Sequence, residues 1–191
     1  MHGWWTVSYV VLWLLVVALT TLVLALARQV GTLHLRLGPR GALEIDDEGP
    51  PLGEAPQPTE LESAGGGSIL LGGGGPERLV LFVSPSCPVC REVAPSLAPI
   101  ARAGGLEPLV VADVDDVEAG HLRDELRTPA PIAHGAELAG SWAVPGTPYA
   151  VVLDRWGVVR AKGTVNSLEQ LEGLVDTGRR RTDEALAEAS R

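Results

Sequence analysis

Apolar positions fall into two regimes along the chain. Trp4 to Ala27 runs 24 positions without a charge, and 20 of them are apolar, the exceptions being Thr6, Ser8, Thr20 and Thr21. At about 1.5 Å rise per residue, such a helix reaches roughly 36 Å, enough for a hydrocarbon core of about 30 Å. A signal peptide has an apolar region of only about 7–15 residues, led by bases and closed by a small-residue cleavage site. Here no base precedes the run, and Arg28-Gln29 follows it. The pattern predicts a retained transmembrane anchor over residues 4–27, with Trp4, Trp5 and Tyr9 at one membrane interface. Beyond position 58 the apolar residues come in short bursts. Leu61 and Ser68–Leu71, separated by Gly65-Gly66-Gly67, predict a hairpin. Leu79–Val83 and Leu109–Ala112 read as buried strands. Val93, Leu97, Ile100 and Ala101 recur at helical spacing up to Gly104-Gly105, with Pro88 suited to the first turn and Pro95 expected to kink the helix. Val117–Leu126 and Ala136–Trp142 predict two further helices. Tyr149–Leu153 and Val158–Lys162 flank the turn Asp154–Gly157. Ser167 caps a last helix carrying Leu168, Leu171, Leu174 and Val175 on one face, and Gly178 is the expected stop. The order β-α-β-α-β-β-α predicts an α/β domain, a mixed sheet with helices on both faces.

Four segments follow from this pattern: the anchor 4–27; a juxtamembrane segment and acidic, Pro-rich linker 28–50; a folded domain 51–178; and a charged flexible tail 179–191. Charge separates along the same lines. Residues 1–40 contain Arg28, Arg36 and Arg40 and no acid, so residues 41–191 hold the other 12 bases and all 24 acids, a net charge of −12. No basic face exists to neutralise phosphates, which excludes a nucleic-acid binder. The glycines at 72–75 lead into Pro76-Glu77-Arg78 rather than Gly-Lys-Ser/Thr, and Lys162 is the only lysine. They are flexible turns, not a phosphate loop. By the positive-inside rule alone, the three arginines behind the anchor put the domain in the cytoplasm.

The candidate chemistry lies in Cys87-Pro88-Val89-Cys90. Cys-x-x-Cys after a strand and at a helix start, inside an α/β pattern, signals dithiol–disulfide exchange. Free N–H groups and the positive dipole end favour a thiolate at Cys87, and such placement lowers a cysteine pKa from about 8.5 to between about 3.5 and 7.5. Cys90, one turn further in, suits the resolving role, attacking the mixed disulfide at Cys87 and releasing the partner. A purely structural disulfide would recover little, about 2 kcal/mol by the loop-closure expression. Two cysteines and four histidines without paired spacing offer no zinc site, and Arg91 stands where a c-type haem motif needs histidine. No metal and no cofactor beyond the redox-active Cys87–Cys90 pair is expected. Thr147-Pro148, directly before a strand, is the expected cis bond, cis being inexpensive only before proline. It would turn the Thr147 backbone toward the cysteines, ready to pair with an extended substrate segment.

Cys87-Pro88-Val89-Cys90 with Thr147-Pro148 resembles the thioredoxin superfamily in its membrane-anchored, TlpA-like branch. Arg28–Gly31, Leu37–Leu43, Ser84–Cys90, Pro148–Val151, Gly157–Gly163 and Val165–Ser167 make it most similar to the MauD family of methylamine-utilisation accessory proteins, over about residues 5–178. The resemblance implies a thioredoxin-like fold outside the cytoplasmic membrane, and a role in maturing the disulfide-rich small subunit of methylamine dehydrogenase. Its implied partners are thiols or disulfides of exported proteins, and a membrane redox partner that recycles the dithiol. Pro88, Val89, Thr147 and Pro148 would shape the site and bind substrate. Related TlpA-like proteins add a second expectation, reduction of apocytochrome c thiols, and a redox-inert docking module is the non-enzymatic one. Leu81 stands six residues before Cys87, where many thioredoxins carry a buried acid.

Overall fold

A computed structural model describes residues 3–36 and 48–190, in two compact units that divide at Gly38 and Pro39. In the first unit, helix α1 runs Gly3–Arg36. Its stretch Gly3–Leu22 is long and apolar enough to cross a membrane, a criterion that a signal sequence near an N-terminus also meets. Thr20 and Thr21 donate their hydroxyls to the carbonyls of Val16 and Val17 at 2.8 and 2.9 Å, so both polar groups are satisfied within the helix. The helix does not stop at Ala27. Nine more residues stay helical, since nothing before Gly38-Pro39 except Gly31 opposes helix propagation. The motif segment Leu37–Leu43 and the start of the acidic linker lie outside the described residues.

The second unit is built on a five-stranded sheet in the order β5-β4-β3-β6-β7. Its strands are β3 (Arg78–Val83), β4 (Glu107–Ala112), β5 (Ile132–His134), β6 (Tyr149–Leu153) and β7 (Val159–Thr164). β3, β4 and β5 run parallel, whereas β6 is antiparallel to β3 and β7 to β6. Strand residues alternate between two faces. Leu79, Leu81, Val83, Val110, Ala150 and Val152 face a layer formed by α2 (Pro88–Ala103), α3 (Asp116–Leu126) and α5 (Leu168–Ala189). Val80, Phe82, Leu109, Val111, Tyr149 and Val151 face α4 (Ala136–Ser141), Trp142, and Leu61 and Leu71 of a separate hairpin, β1 (Thr59–Glu62) with β2 (Ser68–Leu71). This is the mixed sheet, helix-covered on both faces, that the pattern predicts. The hairpin leans on edge strand β5 through a Ser63–Ala133 bridge and the Ala64 amide, which donates to Ile132. β5 is absent from the sequence pattern: three residues that follow directly on Pro129 and Pro131 are too short to show a period.

The last helix corrects the expected boundary at Gly178 and the flexible tail 179–191. α5 passes through Gly178 to Ala189. Gly178 is a close-approach residue rather than a stop: a Cβ there would lie 2.7 Å from Val152 Cγ1. Past it, Arg181 donates to the Arg160 carbonyl at 3.1 Å, and the buried Thr182 hydroxyl to the Gly178 carbonyl at 2.9 Å. The Gly-Arg-Arg-Arg sequence resembles a helix C-terminus, but here the arginines belong to the middle of a helix docked on the sheet. Deleting residues 179–191 should therefore destabilise the domain by about 1–3 kcal/mol, through the lost hydrogen bonds and buried surface. The midpoint of urea unfolding reads this out, and an unchanged midpoint would mean that the last turns are dispensable.

Candidate active site

β3 ends at Val83, and the turn Ser84–Ser86 carries the chain to α2. The Cys87 amide donates to Ser84 O at 3.1 Å, closing the turn, and Ser84 Oγ lies 3.0 Å from Ser86 Oγ. Cys87 is the N-cap of α2 in an extended conformation, and Pro88 occupies the first helical turn. Proline costs nothing there, because that N–H would be unpaired in any case. The Cys90 amide donates to Cys87 Sγ at 3.1 Å, so the sulfur occupies the place of a capping oxygen. Cys87 and Cys90 are joined as a disulfide, with Cα atoms 5.4 Å apart. Cys87 is half-buried and Cys90 fully buried among Leu81, Val93, Ala94 and their neighbours. Pro88 is exposed, and Val89 packs partly onto the same cluster.

Thr147-Pro148 is cis, and Thr147 O lies 3.6 Å from Cys87 Sγ. Register explains the meeting of residues 60 apart. Phe82 pairs with Tyr149, so the residues just before Tyr149 arrive beside the turn that follows Val83. Thr147 is exposed, while Pro148 is buried and its carbonyl accepts from the Val165 amide at 3.2 Å. All six residues singled out in the sequence, Cys87, Pro88, Val89, Cys90, Thr147 and Pro148, therefore share one end of the sheet.

Sequence reasoning missed Arg91. Its guanidinium donates to Pro85 O at 3.3 Å and pairs with Glu125 of α3 at 3.0 Å, fastening the cysteine turn to a neighbouring helix. A single arginine after Cys-x-x-Cys carries no signal of this, since Glu125 lies 34 positions further on. Behind the cysteines the surroundings are apolar. Among the described residues Asp154 is the buried carboxylate, and it takes the amides of Trp156 and Val158 and the guanidinium of Arg160 at 2.7–2.9 Å. It follows Leu153, which pairs with Arg78 at the start of β3, so it sits at the opposite end of the sheet from Cys90. Leu81 is fully buried. No group of three His, Cys, Asp or Glu side chains converges as a metal site among the described residues.

No family model matches the chain. Curated relatives do. The methylamine utilization protein MauD of Paracoccus denitrificans is 36% identical over 184 residues, covering 90% of this chain and 88% of the relative. MauD of Methylorubrum extorquens is 36% identical over 177 residues, covering 88% and 84%, and MauD of Methylophilus methylotrophus is 33% identical over 174 residues, covering 89% and 82%. Among solved structures, a putative protein disulfide isomerase from Bacteroides thetaiotaomicron superposes with a TM-score of 0.62 at 16% identity, over 74% of this chain and 96% of that one. A putative thiol:disulfide interchange protein DsbE from Chlorobium tepidum gives 0.57 at 18% identity, over 71% and 97%. The fold is thioredoxin-like.

Burial separates the two thiols of the reduced protein, Cys87 being half-buried and Cys90 fully buried. The thiol left in a Cys87→Ser variant should therefore react with a bulky aqueous thiol reagent several-fold more slowly than the one left in Cys90→Ser. Equal rates would show that Cys90 is open to solvent.

Proposed function

The chain belongs to the MauD family of methylamine-utilisation proteins, and from that premise we propose a membrane-anchored thiol–disulfide oxidoreductase that matures an exported protein. The observation that carries the reading is the Cys87–Cys90 disulfide capping α2, with the exposed Thr147 backbone 3.6 Å from Cys87 Sγ. A substrate thiolate reaches Cys87, the more exposed sulfur. Its attack forms a mixed disulfide and breaks the Cys87–Cys90 bond, with Cys90 leaving as a thiolate that takes up a proton. The second substrate thiolate then attacks the substrate sulfur of the mixed disulfide and expels Cys87. The substrate gains a disulfide, and two electrons rest on the enzyme, with Cys90 as a thiol and Cys87 as a thiolate that exchanges its proton with solvent. Run in reverse, Cys87 attacks a substrate disulfide and Cys90 resolves the adduct. In both directions the Cys90 amide and the helix N-terminus stabilise charge on Cys87. Thr147 and Pro148 offer the backbone edge against which an extended substrate segment lies, and Pro88 and Val89 complete the rim.

The relatives' role in methylamine utilisation favours the disulfide-rich small subunit of methylamine dehydrogenase as substrate. α1 is the anchor in the cytoplasmic membrane, the domain faces outward, and a membrane redox partner restores the oxidised pair. The outward placement follows the family against the charge bias of Arg28, Arg36 and Arg40.

Cys90→Ser should accumulate reducible complexes with exported proteins, and mass spectrometry of those bands names the partner. Cys87→Ser should trap few or none. In the reduced protein, iodoacetamide should label Cys87 first, because it is half-exposed at the helix N-terminus whereas Cys90 is buried. Trapping through Cys90 reverses the assignment. Trapped apocytochrome c indicates a cytochrome-thiol reductase, and no trapping by either variant a docking module. Topology has its own test: a reporter active only outside the cytoplasm, fused after Ser190, should be active, and signal from a cytoplasm-only reporter would invert the placement.

A further inference from the structure

Lys162 is the only lysine in the chain, and it is fully buried. Removing an ammonium from water costs several kcal/mol unless it is well paired, so what it holds is informative. Its Nζ donates to the main-chain carbonyl of Glu48 at 2.6 Å. The same oxygen accepts from Tyr149 Oη at 3.1 Å, so both lone pairs of one carbonyl are engaged by side chains of the sheet. The next residue is fastened too, the Gly49 amide donating to Ala143 O at 3.0 Å. Only glycine fits there: φ is +73°, and a Cβ would lie 2.1 Å from Tyr149 Oη.

These contacts bracket the loop that carries Thr147. Ala143 precedes Thr147 by four residues and itself has a positive φ of 50°, and Tyr149 follows it by two. Both ends of the loop are thus tied to one dipeptide, Glu48-Gly49, while Thr147 between them is exposed beside Cys87. An extended substrate that hydrogen-bonds to Thr147 pulls on this loop, whereas a small thiol needs only Cys87 Sγ. Resting on the oxidoreductase reading above, we propose that Tyr149 and Lys162 are positioning residues. By gripping the Glu48 carbonyl they hold the Thr147 backbone at the height where a polypeptide substrate, but not a small dithiol, depends on it.

The test uses the full chain in detergent, with Tyr149→Phe and Lys162→Met measured against two substrates. One is insulin, whose disulfides are reduced with the enzyme as carrier; the other is dithiothreitol, which needs no backbone pairing. For each variant kcat/KM with insulin should fall about five- to tenfold, the scale of one lost hydrogen bond, with dithiothreitol oxidation within about twofold of the parent. Equal loss on both substrates would mean a merely structural role, and no loss on insulin would mean that the clamp does not set the loop; either overturns the proposal. If Lys162→Met does not fold, Tyr149→Phe, which removes a single oxygen, still decides. A parent protein that fails to oxidise dithiothreitol would instead defeat the exchange chemistry itself, separating that failure from this one.

Discussion

Main-chain pairing between β3 and β6 is the constraint on which the site depends. Each strand ends where its neighbour begins, and with Phe82 opposite Tyr149 the turn leaving β3 meets the loop entering β6. Ladder hydrogen bonds leave this register no freedom, because a slip of one residue would exchange the two faces and turn Leu81 and Ala150 away from α2 and α5. The 3.6 Å approach of Thr147 O to Cys87 Sγ is therefore a consequence of packing throughout the domain. The Cys87 sulfur and the Thr147 backbone are brought together by a buried sheet, and both residues stand at its rim.

The two cysteines differ sharply in environment. Cys87 caps a helix, accepts an amide hydrogen bond and is half-exposed, whereas Cys90, three residues on, lies within an apolar cluster. Helix periodicity produces that contrast: one turn carries the chain from the rim to the inner face. The buried carboxylate that could assist a proton is at the far end of the sheet, where it organises the Asp154–Gly157 turn and pairs with Arg160.

Much of the architecture was legible because its signals are local. The Cys-Pro-Val-Cys motif, the strand before it, Thr147-Pro148 and the glycine-separated hairpin each announce themselves within a few residues, and family resemblance supplied the relation between motifs 60 positions apart. Legibility failed where one residue type serves two purposes. Gly178 followed by three arginines has the signature of a helix end, yet the glycine is there to admit Val152 and the helix continues. Strand β5 is too short for a period, and Arg91 and Lys162 resemble surface cations until tertiary contacts assign them to Pro85 and Glu48.

The burial of Lys162 has a practical consequence for handling the molecule. Because it is the chain's sole lysine, the folded domain presents no side-chain amine to solvent. Amine-directed acylating reagents and cross-linkers thus find only the chain's α-amino group while the fold is closed. Modification at Lys162 becomes a count of opening events at the β6–β7 edge, a built-in reporter of breathing that leaves the cysteines untouched.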